Sequence, residues 1–209
     1  MGCLHSRSKC TNDKAALGSN GTQDQQRDSE PPSFSVQAAK ELGLTQKQVF
    51  SFKQSWKGIK RRMEDTGVEM FVRLFKTNAS LQKMFQGFKD IRSDDDLRSN
   101  EALEYHATLV MTTLDDAITH IDNYDYVRQL LQKTGASHVK FTGFQPDNFM
   151  AIKEPFLEAV KVTLGDRYTE NMQNIYTIAI TFILQSLVGG IQEALAKEED
   201  EKRGSNGVV

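Results

Sequence analysis

Cysteine is nearly absent from this sequence. The 209-residue chain contains two cysteines, Cys3 and Cys10, and both lie within its first ten residues. Two cysteines exclude a disulfide-based scaffold and a zinc module built on cysteine ligands. Their position at one end also argues against a role for either in a folded core. We therefore expect a protein whose fold depends on packing alone.

Proline is also scarce, and neither sign of charge is in large excess. Four prolines and 14 glycines are too few for the many turns of a β-sandwich, and no segment alternates apolar and polar residues over a sustained stretch. A net charge of −2 and a pI near 6.1 give no reason to expect nucleic-acid binding. The mean hydropathy of −0.51 excludes a polytopic membrane protein. These absences favour a soluble all-α domain.

Apolar residues recur at helical steps of three and four across the middle of the chain. Residues 34–196 are long enough for one sizeable core, which we interpret as an all-α domain of six to seven helices. The members of each stripe share one helix face. The five stripes are Val49, Phe52, Trp56, Ile59 and Met63; Val68, Phe71, Val72 and Phe75; Leu103, His106, Val110, Leu114, Ala117 and Ile121; Val127, Leu131, Thr134 and His138; and Phe149, Ile152, Phe156 and Val160.

Local signals refine this pattern. Thr45 followed by Gln48 predicts a capping box. The acidic run that begins at Asp94 is typical of a solvated loop or a helix start. Pro155, inside the fifth stripe, predicts a kink or the loss of the backbone bond to Ala151.

The stretch from Asn171 to Ile191 contains no charged residue and is long enough to span a bilayer. A polar stripe runs along it at helical steps. This stripe favours a largely buried amphipathic helix over a membrane span, and Gly189-Gly190 is expected to weaken its last turns. The polar stripe consists of Asn174, Thr177, Thr181 and Gln185.

The two ends of the chain differ from the middle. Residues 1–33 contain no aromatic residue and too few apolar side chains to offset their ordering entropy, so we expect a disordered tether. Residues 197–209 form a polar C-terminal tail that we expect to fray. No apolar segment near the start resembles a secretory signal.

An acylation signal opens the tether. Gly2 with Ser6 matches the N-myristoylation pattern, and the adjacent Cys3 is a candidate for S-palmitoylation, with Cys10 as a second. One myristoyl chain binds membranes only marginally, whereas two chains anchor stably. The pattern predicts a peripheral, lipid-anchored protein on the cytoplasmic side of the plasma membrane. The alternative is a chance match, because the pattern is short.

Two of the four histidines lie on apolar helix faces. His106 and His138 are either hydrogen-bonded core residues or a pair of ligands that bind one iron from opposite sides of a flat macrocycle. Phenylalanine, with 12 residues, is abundant enough to wall such a site. Spacing alone leaves both interpretations open. His120, after the third stripe, is expected at the surface.

From about residue 44 to residue 196 the chain resembles a globin, most closely the neuroglobin and globin X branch. The separation of 32 residues between His106 and His138 suits that family. So does an aromatic residue at Phe85, in the turn before the first histidine. The matching segments are Gln54-Ser55-Trp56, Phe71–Phe75, Leu81–Phe85, Glu104-Tyr105-His106 with Val110, and Lys133–Val139.

The resemblance implies a globin fold of six to eight helices around a haem pocket. The haem is b-type, since a C-x-x-C-H attachment motif is missing. His138 is implied as the proximal iron ligand, with Thr134 as the partner of its second ring nitrogen, and His106 as the distal residue. The other implied haem contacts are Phe71, Phe85, Val110 and Phe149.

Four positions depart from the family pattern. Ala79 replaces the usual proline of the third helix, and Tyr176 replaces a large tryptophan of the last helix. Leu109 stands where many relatives carry a basic residue for a haem propionate, so Lys140 is a weak candidate for that role. Pro155 lies where we expect no proline. None of these positions is an implied iron ligand.

The branch that the chain resembles favours six-coordinate iron, with both histidines bound. Such iron at a membrane suits redox signalling, electron transfer or protection of membrane lipids, with O₂, CO and NO as ligands and an unidentified reductase or electron acceptor as partner. Nitrite reductase, NO dioxygenase or peroxidase-like chemistry is a side activity. The alternatives are O₂ storage or sensing with an open sixth site, and a haem-free globin-fold module that binds partners at a membrane.

Overall fold

The structure is a computed structural model that describes residues 41–206, with side chains through Arg203. The expected tether, with the acylation candidates Gly2, Cys3 and Cys10, lies outside the described residues. Within residues 41–206 the secondary structure is helical and contains no strand, which confirms the all-α prediction. The α helices are α1 (Gln46–Lys60), α2 (Met63–Thr77), α3 (Ala79–Gln82), α4 (Asp94–Arg98), α5 (Glu101–Thr119), α6 (Tyr124–Ala136), α7 (Asp147–Met150), α8 (Lys153–Leu164) and α9 (Glu170–Asn206).

The predicted capping box starts α1. The Thr45 hydroxyl accepts the backbone N–H of Gln48, and the Gln48 side chain accepts the backbone N–H of Thr45 at 2.9 Å. The first apolar stripe is longer than this helix, because α1 ends at Lys60 and Met63 begins α2. The indole N–H of Trp56 donates to Asp115 of α5 at 3.0 Å, so one buried side chain joins α1 to α5.

The predicted helix start at Asp94 is confirmed, whereas Pro155 does not interrupt a helix as predicted. Asp94 begins α4, where Ser93 caps the helix by accepting the N–H of Asp96. Pro155 lies in the first turn of α8, at a position whose N–H would lack a helical partner in any case. The fifth stripe is therefore divided between α7 and α8 instead of forming one helix.

The last helix, α9, crosses the core. By length and composition its segment Glu170–Arg203 could span a membrane, but half of the apolar window is buried inside the fold. Tyr176 is fully buried, with its hydroxyl 3.1 Å from the Ser55 hydroxyl. Asn174 and Gln185 of the polar stripe are exposed. These contacts support the predicted amphipathic core helix.

The prediction of a frayed end after residue 196 differs from the structure, because α9 continues to Asn206. Ion pairs one turn apart line this extension, including Glu193 with Lys197 at 2.7 Å and Glu198 with Lys202 at 3.8 Å. Acidic residues four positions before basic ones support an exposed helix. This charge pattern accounts for the extra turns.

Two glycines allow α6 and α9 to touch backbone to backbone. A Cβ atom added to Gly135 would lie 2.0 Å from the carbonyl oxygen of Leu187, and one added to Gly190 would lie 2.1 Å from that of Gln132. The sequence suggested that Gly190 weakens α9. The structure shows instead that its missing side chain brings α9 against the helix that leads to His138.

Candidate functional site

The distal side of the candidate site is built on α5. His106 lies in the second turn of this helix, and its imidazole ring contacts Phe71 of α2 at 5.0 Å and Phe85 at 4.9 Å between ring centroids. Phe71 is buried, whereas His106 and Phe85 are partly buried. Among the residues that the structure describes, neither ring nitrogen of His106 has a hydrogen-bond partner. The ring is therefore positioned by aromatic packing alone.

The proximal side is built where α6 ends. His138 lies in the short 3₁₀ helix Ser137–Lys140, and its Nδ1–H donates to the backbone carbonyl of Thr134 at 2.9 Å. That carbonyl belongs to the last turn of α6, where backbone acceptors lack helical partners. The predicted partner residue is thus confirmed, through its backbone oxygen. The Thr134 hydroxyl donates instead to the carbonyl of Leu130. With Nδ1 protonated, Nε2 of His138 is the free nitrogen.

Three phenylalanines surround His138. Its ring lies 4.8 Å from Phe149 of α7, 5.1 Å from Phe144 and 5.6 Å from Phe141. Phe149 is buried, but half of Phe141 is exposed. Lys140 extends over the Phe141 ring, with its Nζ 5.1 Å from the centroid. Lys140, the weak candidate for a propionate partner, is thus a cation beside the exposed aromatic residue on the His138 side.

Burial keeps both imidazoles neutral. Desolvation, with a smaller contribution from repulsion by His138 when that ring is charged, lowers the pKa of His106 to about 4. Desolvation also lowers the pKa of His138, although the hydrogen bond to Thr134 opposes this shift and the charge of Lys140 adds to it. A neutral imidazole has one ring nitrogen with a free lone pair. Both histidines can therefore act as metal ligands, which must be deprotonated.

The sequence-predicted residues are thus divided between two walls. Phe71, Phe85 and His106 pack together on one side, and His138 packs against Phe149 on the other. Val110, one turn after His106, is partly buried against the core. Leu109 is half exposed. His120 is exposed and pairs with Asp116 at 2.8 Å, as expected for a surface histidine.

Comparison with known proteins identifies the family. The family model described as Globin matches residues 68–187, which is more than half of the chain. The chain belongs to the globin family. Its fold and the b-type haem cofactor of that family follow from this membership.

Similar proteins include a neuroglobin, a cytoglobin and a haem protein of known structure. Neuroglobin-1 from Oncorhynchus mykiss is 28% identical over 141 residues, which cover 66% of this chain and 88% of the relative. Cytoglobin-1 from Oryzias latipes is 29% identical over 149 residues, covering 71% and 82%. The crystal structure of a hexacoordinated haem protein from an anhydrobiotic tardigrade, at pH 4, is 32% identical, with a TM-score of 0.70; the match covers 73% of this chain and 98% of that one.

The side chains of this globin fit a haem. Two neutral imidazoles come from different helices, one with a fixed tautomer, and phenylalanine rings line both sides. Haem needs nitrogen ligands and large apolar walls. Within residues 41–206 no cluster of three or more His, Cys, Asp or Glu could hold a bare metal ion. The donor set therefore suits iron held in a macrocycle.

The sequence alone did not indicate Gln82. This residue of α3 is buried, and its Nε2 donates to the carbonyls of Phe88 at 2.9 Å and Ile91 at 2.6 Å. A glutamine in a mixed polar segment normally reads as a surface residue. No periodicity marks it, because α3 is a single turn.

Proposed function

We propose that this globin binds its haem iron through both His138 and His106 and works as a membrane-anchored redox protein. The observation that carries the proposal is a pair of imidazoles from different helices, each packed against phenylalanine rings, with the Nδ1–H of His138 bound to the Thr134 carbonyl. The structural relative is named as a hexacoordinated haem protein, which supports six-coordinate iron here.

The two histidines have different tasks in this proposal. His138, whose Nδ1–H is held by the Thr134 carbonyl, presents Nε2 in a fixed orientation. His106 has no such restraint, so it can bind the iron or swing away to admit O₂, CO or NO. The haem, when bound, supplies an iron that exchanges one electron. Only the fraction of molecules in which His106 has left the iron can bind a gas. The apparent affinity for the gas is therefore the intrinsic affinity multiplied by this open fraction.

Redox work is the role that suits this arrangement best. Two imidazoles keep the same ligand set in both oxidation states, which favours electron transfer over gas transport. We infer redox signalling, or protection of membrane lipids from peroxides, as the physiological role, with a reductase or electron acceptor as partner. Nitrite or NO chemistry is a side activity of the reduced state.

The ferrous absorption spectrum tests the ligand pair. Sharp, split visible bands are expected for the parent, and His106→Leu should give a single broad band and faster CO binding. His120→Leu is the matched control, because that histidine is exposed and paired with Asp116. A broad band in the parent would contradict the proposal and favour O₂ storage or sensing.

A second substitution tests the proximal assignment. His138→Ala should abolish haem retention because it removes the oriented ligand. The measurement is the ratio of haem to protein after gel filtration. Undiminished haem content in His138→Ala would show that another residue holds the iron.

The membrane anchor is a separate part of the proposal. We propose a myristoyl chain on Gly2 and a palmitoyl chain on Cys3, with Cys10 as a further palmitoylation candidate. The cations Arg7, Lys9 and Lys14 would add attraction to an anionic leaflet. Two acyl chains bind a bilayer stably where one does not. The protein would then lie on the cytoplasmic side of the plasma membrane.

A further inference from the structure

An irregular segment forms part of the wall beside His106. This segment, residues 83–93, connects α3 to α4 and contains short turns without a regular helix. Its Phe85 ring contacts His106 at 4.9 Å and stacks on Phe88 at 4.9 Å. An interaction that holds this segment in place therefore also holds Phe85 against the His106 ring.

Gln82 closes this segment from inside. Its side-chain amide has two hydrogens, and they go to the carbonyls of Phe88 and Ile91, six and nine residues further along the chain. Gln82 and Thr66 are the buried polar or charged side chains of the part of the chain that the structure describes. A buried amide is tolerated only when its donors are satisfied, so its burial depends on the closed segment.

The far end of the segment is held by charge instead. Glu69 of α2 pairs with Arg98 of α4 and with Arg73 at 2.6 Å. Burial opposes ionisation of Glu69, but hydrogen bonds from both arginines hold its pKa below the usual range. Lys76 pairs with Asp94 nearby. The pairs of Glu69 with Arg98 and of Lys76 with Asp94 join α2 to α4 and are partly exposed. They hold the end of the segment, outside the wall that Phe85 forms.

We propose that Gln82 is a positioning residue that holds Phe85 against His106 and thereby sets how often His106 leaves the iron. The inference rests on the proposed function, since it requires His106 as an iron ligand. With both amide hydrogens engaged, Phe85 confines the imidazole to the side that faces His138. Without them, residues 83–93 open, Phe85 withdraws and His106 gains room to swing away.

Gln82→Met tests the proposal, with Gln86→Met as the matched control. Methionine conserves volume but removes both donors, and Gln86 is exposed in the same segment. In Gln82→Met, the backbone amides of Phe88 and Ile91 should exchange hydrogen faster in haem-free and haem-bound protein alike. CO should bind the ferrous protein about tenfold faster, which corresponds to about 1.4 kcal/mol in the open fraction. Gln86→Met should change neither quantity.

A double substitution separates positioning from general loosening. In a His106→Leu background, Gln82→Met should no longer accelerate CO binding, because the residue on which it acts is gone. An acceleration that persists there would overturn the proposal, as would parental CO kinetics in Gln82→Met.

Gln82→Asn replaces the first variant if Gln82→Met does not fold. Its side chain is one methylene shorter, so it should give a smaller change in the same direction. Parental values in Gln82→Asn would overturn the proposal.

Failure of the proposed function is visible before any Gln82 variant is made. An open-site ferrous spectrum in the parent would overturn the ligand pair and this inference together. A six-coordinate parent with unresponsive Gln82 variants would overturn only the inference.

Discussion

The two histidines of the site are held by different forces. His138 is fixed by a hydrogen bond to a free helix-end carbonyl, whereas His106 is held by the rings of Phe71 and Phe85. A hydrogen bond fixes ring rotation, but ring packing tolerates it. In the six-coordinate state that we propose, this difference makes His106 the ligand that can leave.

Burial of His106 predicts a pH-dependent stability. Its pKa falls from 6.5 to about 4 in the folded chain, so the unfolded chain binds an extra proton between these values. Stability from the neutral ring is complete above about pH 6.5 and is lost as pH falls to about 4, by about 3 kcal/mol. Denaturant unfolding of the haem-free chain at several pH values measures this loss. His106→Leu should flatten it, and equal slopes in the two proteins would contradict the prediction.

The sequence predicted the two histidines of the site but not Gln82. His106 and His138 lie on apolar stripes, and their family spacing indicated the role of each. Gln82 carries no such signal, because its burial depends on two carbonyls that become neighbours only when residues 83–93 fold back. Polar residues that are buried by closing a loop cannot be recognised from spacing.

At the scale of elements, helical periodicity predicted which faces are buried better than where helices end. The apolar residues of α2 are buried as expected, but the first stripe crosses the break between α1 and α2. Periodicity continues through a break when both helices face the same core. The extension of α9 was missed because it depends on pairs of opposite charge, not on apolar contacts.

Two adjacent glycines of α9 should respond in opposite directions to alanine. Gly190→Ala places a Cβ 2.1 Å from the carbonyl oxygen of Gln132, so α9 and α6 must separate. We expect a loss of about 3 kcal/mol in the free energy of unfolding. A Cβ atom added to Gly189 would meet no atom within 4 Å. Gly189→Ala should therefore raise the free energy of unfolding by up to about 1 kcal/mol, because alanine has the higher helix propensity.

Denaturant unfolding of the two glycine variants measures both effects. Gly190→Ala should also lose haem faster, because α6 carries the Thr134 carbonyl that orients His138. A Gly190→Ala protein as stable as Gly189→Ala would show that the two helices do not need this close contact.

At the scale of the whole molecule, the proposed anchor adds to the globin domain without changing its fold. The family match begins at residue 68, so the acylation candidates lie far outside it. Sequence reasoning placed the globin domain at residues 34–196 from composition and periodicity. The boundary at residue 34 and the anchor stay predictions, because both depend on residues before Glu41.

Fractionation of cells tests the anchor. Gly2→Ala should move the protein to the soluble fraction, because the myristoylation pattern requires glycine at this position. Cys3→Ser combined with Cys10→Ser should leave one chain and weak binding, on the order of 10⁴ M⁻¹. Gly18→Ala, within the expected tether, is the control and should stay with membranes. A Gly2→Ala protein that sediments with membranes like the parent would contradict the anchor.

Trp56 gives this globin a single tryptophan fluorophore. It is the only tryptophan of the chain, it is 3% exposed, and its indole N–H is bound to Asp115. Haem absorbs light at the wavelengths that tryptophan emits, so a chain with cofactor should be dark and a chain without it bright. Emission intensity therefore counts the empty molecules in any preparation without an added dye.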